Sequence, residues 1–184
     1  LDVSAGDVGD GGEIVVWSEV ASGDGITDMA GVLLASAGKK SGDGGQIETS
    51  GAKLVLSKDL RVEASSTYGL GGLWLQDPHQ YDLTSTEVAT IVSSLNSGTS
   101  VTIDTSVADS LSGYTANSGS GRIFLNAPIS KTAGGDANLT FISDGVINIQ
   151  DSIESTSGKL NFTAKAKRYV QFLQCENSSR SPCG

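Results

Sequence analysis

The chain of 184 residues carries 12 basic and 21 acidic side chains, a formal charge of −9, and 24 glycines against three prolines. That balance argues against nucleic acid as a partner, because phosphates need clustered Lys and Arg, and the one basic cluster, Lys165, Lys167 and Arg168, reads as a solvated tail. Four Phe, four Tyr and two Trp leave any core thin and aliphatic, and no run approaches the roughly 18 consecutive apolar residues a membrane-spanning helix needs.

The opening "LDVSAGDVGDGG" has neither the basic nor the apolar region of a signal peptide, so in an exported protein these residues are expected to lie downstream of the signal, in a mature or excised piece. "GDGGEIVVWSEV" (9–20) is then echoed by "GDGGQIETSGAKLVLS" (42–57), and "GLGGLWLQDP" (69–78) opens the same way. The matched glycine pairs stand at 11–12, 44–45 and 71–72, which are 33 and 27 residues apart. Alternation places Leu54 and Leu56, then Leu73 and Leu75, in an interior, with Trp74 out of phase and facing outward, where it needs cover. His79, the single histidine, follows in the turn-like "LQDPHQYD".

"TSTEVATIVSSLNSG" (84–98) breaks the rhythm. Thr84 and Glu87 have capping-box spacing, Val88, Ile91, Val92 and Leu95 recur at helical intervals, and Gly98 is a stop, so a short amphipathic helix is expected over 86–96. Its apolar stripe must lie on the rest of the fold. Strands resume at "SGTSVTIDTS" with Val101 and Ile103 inward, at "GSGRIFLNAPI" (119–129) with Ile123 and Leu125 inward and Phe124 outward, and then at three further pairs. Those pairs are Leu139 and Phe141, Ile147 and Ile149, and Leu160 and Phe162.

Short strands at irregular intervals, bounded by Gly, Asp and Ser, are what a β-solenoid requires: a few strands joined by turns, then one more layer about 4.8 Å on. The fold class expected is therefore all-β, a parallel β-helix over 1–165 with a helical insertion at about 84–97. From Lys165 onward "KAKRYVQFLQCENSSRSPCG" loses its Gly and Asp punctuation and reads as a tail or cap over 166–184. Cys175 and Cys183 lie in it, at a spacing that fits a small disulfide loop in an oxidising compartment or two incidental thiols; two thiols with one distant His do not make a zinc site.

"GDGGEIVVWSE", "GDGGQIETSG", "GLGGLWLQDPHQYDLT", "SLNSGTSVTIDTS" and "ISKTAGGDANLTFISDGVINIQDSIESTSGKLNFTA", in this order, resemble the repeat regions of filamentous-haemagglutinin-like exoproteins, the large adhesins exported by two-partner secretion in Gram-negative bacteria. The similarity runs from about residue 6 to 165. It implies a right-handed parallel β-helix, a secreted or outer-membrane-attached location, an outer-membrane secretion partner, and adhesion or aggregation through an unidentified surface receptor or glycan. It also implies, weakly, a surface tether at Cys175 and Cys183. The family's secretion domain, with its Asn-Pro-Asn motifs, is not visible in these residues.

Chemistry has competing claims. Catalysis by His79 with Asp77 or Asp82 would need a nucleophile in a pocket that spacing does not reveal. Parallel β-helices also host polysaccharide lyases and hydrolases, but among 21 carboxylates nothing marks out one pair. The "GDGG" copies suggest a calcium nonapeptide, yet stand too far apart for tandem ligation, so turn formation is the better reading. The sequon-like "NLT", "NFT" and "NSS" at 138, 161 and 177 are common by chance. The expectation is thus a non-enzymatic adhesive segment with no catalytic, cofactor or metal residues; the alternatives are a fibre subunit joined end to end by self-association at the β-helix ends, and a carbohydrate-active β-helix enzyme.

Overall fold

A computed structural model describes residues 1–20, 24–106 and 121–173. The chain winds as a parallel β-solenoid whose first side is one six-stranded sheet: β1 (Glu13–Trp17), β4 (Gln46–Gly51), β7 (Leu73–Pro78), β9 (Ser100–Asp104), β12 (Ala137–Ser143) and β15 (Leu160–Ala166), in that spatial order. The second side holds β2 (Ile26–Met29) beside β5 (Lys53–Leu56), and separately β8 (Tyr81–Leu83), β10 (Ile123–Leu125), β13 (Val146–Ile149) and β16 (Tyr169–Phe172). The third pairs β3 (Val32–Leu34) with β6 (Arg61–Glu63), and β11 (Ile129–Lys131) with β14 (Ile153–Ser155). Between those two pairs, in the third coil, stands the helix α1 (Ser85–Asn96).

Parallel register stacks like on like. Ile14, Ile47, Trp74, Val101, Leu139 and Phe162 form one inner column of the six-stranded sheet, and Val16, Thr49, Gln76, Ile103, Phe141 and Ala164 the next. Leu54, Leu56, Val101, Ile103, Ile123, Leu125, Leu139, Phe141, Ile147 and Ile149 are all buried, as alternation requires. Phe162 ends the first column and Leu160 stacks on Ala137, and both, in the last described coil, are only half-buried. Phe124 faces outward and finds its cover in the Arg122 guanidinium, 5.0 Å from the ring centre.

The third coil corrects one expectation. Trp74 points inward and is fully buried, whereas Leu73 and Leu75 are the outward, half-buried neighbours. Register decides it: Trp74 stands on Ile47, which stands on Ile14, each two places beyond its glycine pair. The indole N–H donates to Thr49 Oγ1 at 3.0 Å, so its polar atom is satisfied indoors.

The glycine pairs exist because coils touch there. A Cβ on Gly45 would come within 2.0 Å of the Gly12 carbonyl oxygen, and one on Gly72 within 2.0 Å of the Gly45 carbonyl. The aspartates beside them serve the main chain of the next coil: Asp10 Oδ1 accepts from Asp43 N–H at 2.8 Å, Asp43 Oδ1 from Leu70 N–H at 2.7 Å, and Asp136 Oδ1 from Lys159 N–H at 2.8 Å. The motif spaces coils.

Stacking continues past residue 165. β15 runs to Ala166, and β16 pairs in register with β13, Val170 beside Ile147 and Phe172 beside Ile149. Cys175 and Cys183 lie outside the described residues.

Candidate functional site

α1 begins where the sequence says it should. Thr84 caps it, and Glu87 Oε2 accepts both the Thr84 N–H, at 3.0 Å, and its hydroxyl. Val88, Ile91 and Leu95 are buried against the solenoid, with Thr90 and Ser94 between them. The helix occupies the place of a strand between β6 and β11, and it mends the ladders it interrupts. Ser94 Oγ donates to the Val62 carbonyl at 2.8 Å, and Thr99 Oγ1, just beyond the helix, accepts the Ala64 N–H at 2.8 Å. On the other flank Asn96 Oδ1 accepts the N–H groups of Thr132 and Ala133 at 2.8 and 3.1 Å.

Among the described residues no such repair is made on the adjoining side. A helix is about 10–12 Å across where strands sit about 4.8 Å apart. There, among the described residues, β5 and β8 of the second and third coils do not pair. Pro78 ends β7 without an N–H to give, and at the corner a long bond joins the two coils, from His79 N–H to the Ala52 carbonyl, 3.4 Å. Beyond it opens a cleft of about 390 Å³ lined by Ala52, Lys53, Leu54, His79, Gln80, Tyr81, Asp82 and Glu87.

This cleft holds unspent polar groups. The Tyr81 hydroxyl and His79 Nε2 are both buried without a hydrogen-bond partner. Burial, and then the Glu87 carboxylate, push the Tyr81 hydroxyl far above the ordinary phenol range, so it stays a protonated donor. Asp82 is half-exposed and meets Arg122 at 3.2 Å. The structure thus brings His79 and Asp82 to one cleft but sets Asp77 elsewhere. Lys53 and Tyr81 were not singled out from sequence, and Glu87 only as a helix cap; the signal available was a helix inside a strand array, whose thickness disturbs the pairing beside it.

Asp77 belongs to the outer face of the six-stranded sheet, close enough to Glu48 and Asp104 to feel both charges. Burial first, then Asp104 and Glu48, raise its carboxyl to about 7. Farther along this face, Asn161 Nδ2 donates to Asn138 Oδ1 at 2.8 Å and Asn138 Nδ2 to Ser100 Oγ at 3.2 Å. Thr102, Thr140 and Thr163 stand in register beside them. The result is a flat surface of amides and hydroxyls carried on a continuous sheet.

A second hollow, about 370 Å³, lies at the last described coil between Ile149, Ile153, Leu160, Phe162 and Phe172. Lys131, inward on β11 and fully buried, was also missed: its ammonium donates to the carbonyls of Ala133 (2.6 Å), Gly134 (3.3 Å) and Ser157 (2.5 Å). Burial pulls its pKa below the usual lysine value, with Asp136 opposing. Among the described residues no group of three or more His, Cys, Asp or Glu is placed to hold a metal. No protein-family model and no curated protein sequence matches the chain.

Proposed function

We propose that this chain is a non-enzymatic, adhesive stretch of a large secreted bacterial surface protein, displayed outside the cell, whose flat sides meet a surface glycan or glycoprotein. One observation carries the reading: the uninterrupted six-stranded side, with Ser100, Asn138 and Asn161 in one polar column and Thr102, Thr140 and Thr163 in the next. Hydroxyls and amides fixed in register on a rigid sheet lose little freedom on contact, which favours broad and polar recognition.

The test is binding of the purified chain to a panel of immobilised cell-surface glycans and glycoproteins. Saturable binding that Asn138→Lys with Asn161→Lys abolishes, at unchanged circular dichroism, supports the proposal. Turnover of an acidic or neutral polysaccharide, with or without calcium, replaces it with an enzymatic function.

The last described coil favours a second reading, end-to-end assembly. Among the described residues β15, of seven residues, is the terminal strand of its side, and Lys159, Lys165, Lys167 and Arg168 lie in or beside it, while the opening coil carries Asp2, Asp7, Asp10 and Glu13 and no Lys or Arg before Lys39. Opposite ends of opposite charge suit a head-to-tail contact that does not close. Filaments by electron microscopy that dissolve with salt support this reading; a monomer at all concentrations sinks it.

A further inference from the structure

We propose that the break between β5 and β8 is a docking slot for one extended peptide strand of another protein, which completes the interrupted second side of the solenoid. The slot is separate from the polar outer face of the six-stranded sheet.

Four observations converge. The first is space. A cleft of about 390 Å³ is lined by Lys53 and Leu54 of β5 and by Tyr81 and Asp82 of β8, beside a helix about 5 Å thicker than one strand separation. A single extended chain matches that opening.

The second is the direction of the main chain. Along a parallel strand, successive residues turn their N–H and C=O groups to opposite neighbours. On β5, Lys53 N–H donates to Gly25 and, just past the strand, Ser57 N–H to Met29, both in the first coil. On β8, Tyr81 N–H donates to Arg122 and the Leu83 carbonyl accepts from Asn126, both in the fourth. Leu54 and Asp82 therefore turn their main-chain groups toward the slot, and among the described residues neither strand has a partner across it.

The third is that the fold satisfies the equivalent edges elsewhere. Ser94 and Thr99 serve the edge of β6, and Asn96 the segment after β11, yet among the described residues no side chain serves the main chain of Leu54 or Asp82. The fourth is the Tyr81 hydroxyl, 95% of its residue buried, lining the slot and lacking an acceptor.

The chemistry of the guest follows. Three to four residues fit between β8 and β5, held by main-chain hydrogen bonds as in strand addition to a sheet edge. Leu54 and Tyr81 are already buried, so inward-facing guest residues must be small. Outward residues lie between Lys53 and Asp82 and are polar. A guest carbonyl or hydroxyl supplies the acceptor for Tyr81.

The experiment uses the full chain and a fluorescein-labelled, end-blocked peptide of alternating Thr and Ala. Fluorescence anisotropy should show saturable binding, and hydrogen exchange at the Leu54 and Asp82 amides should slow at least tenfold while the β15 amides are unchanged. The same peptide with alternate amides N-methylated should not bind. Tyr81→Phe should weaken binding about 2- to 10-fold without lowering stability, since only a hydroxyl is lost. Equal binding of the N-methylated peptide, protection confined to β15 or β1, or no binding at all would each overturn the slot.

Discussion

Trp74 reaches Thr49 across one coil boundary, its indole N–H 3.0 Å from the threonine hydroxyl, where the bulkiest fully buried side chain of the described residues enters a largely aliphatic column. Truncating it to Ala should cost about 3–5 kcal/mol, whereas Trp74→Phe, which keeps a six-membered ring but loses the five-membered ring and its N–H, should cost about 1–3 kcal/mol. Urea titration followed by circular dichroism checks both. Equal losses would mean that the hydrogen bond, not the packed volume, sets the stability there.

Asp77 makes stability depend on pH in an unusual sense. Its carboxyl is raised from about 3.8 unfolded to about 7 folded, so between those values the folded chain holds more protons and stability falls as pH rises. The contribution is whole below about pH 4 and gone above about pH 7; three pKa units correspond to at most about 4 kcal/mol. Asp77→Asn should therefore be more stable than the parent at pH 8 and little different at pH 4. A gap that does not widen between those two pH values contradicts the assignment.

Lys131 holds three carbonyls that face the interior at a turn of two successive coils. Lys131→Met keeps the length of the side chain and removes the donor. The orphaned oxygens should cost about 2–4 kcal/mol in denaturant unfolding. A variant as stable as the parent would show that the aliphatic stem does the work.

Asp43 tests the spacing role of the glycine-aspartate motif. Asp43→Ala removes the acceptor of Leu70 N–H and should lower stability by about 1–2 kcal/mol, with no response of parent or variant to calcium chelation. Stabilisation of the parent by added calcium would return the motif to metal binding.

Much of this architecture could be read from alternation, because each inward pair repeats in register. Phase failed at "LWL", where three consecutive apolar residues fit either face; aligning the glycine pairs places Trp74 with Ile14 and Ile47 and gives the right answer. α1 announced itself through Thr84, Glu87 and Gly98, within one residue of its start. The cleft did not, because it arises from the thickness of one element acting on the pairing of two others. Lys131 was illegible for a related reason: its partners are main-chain oxygens, and no side-chain pattern encodes where carbonyls converge.

The helical wedge also sets how the rod bears load. Solenoid coils hold only their neighbours, so strength along the axis is that of the weakest junction. Between the second and third coils one side keeps its full ladder, β4 on β7, while on the next, among the described residues, β5 and β8 form no ladder and a long bond stands at the corner. Pulled end to end, the molecule yields there first, swinging on the intact sheet like a door on its jamb before any other layer parts.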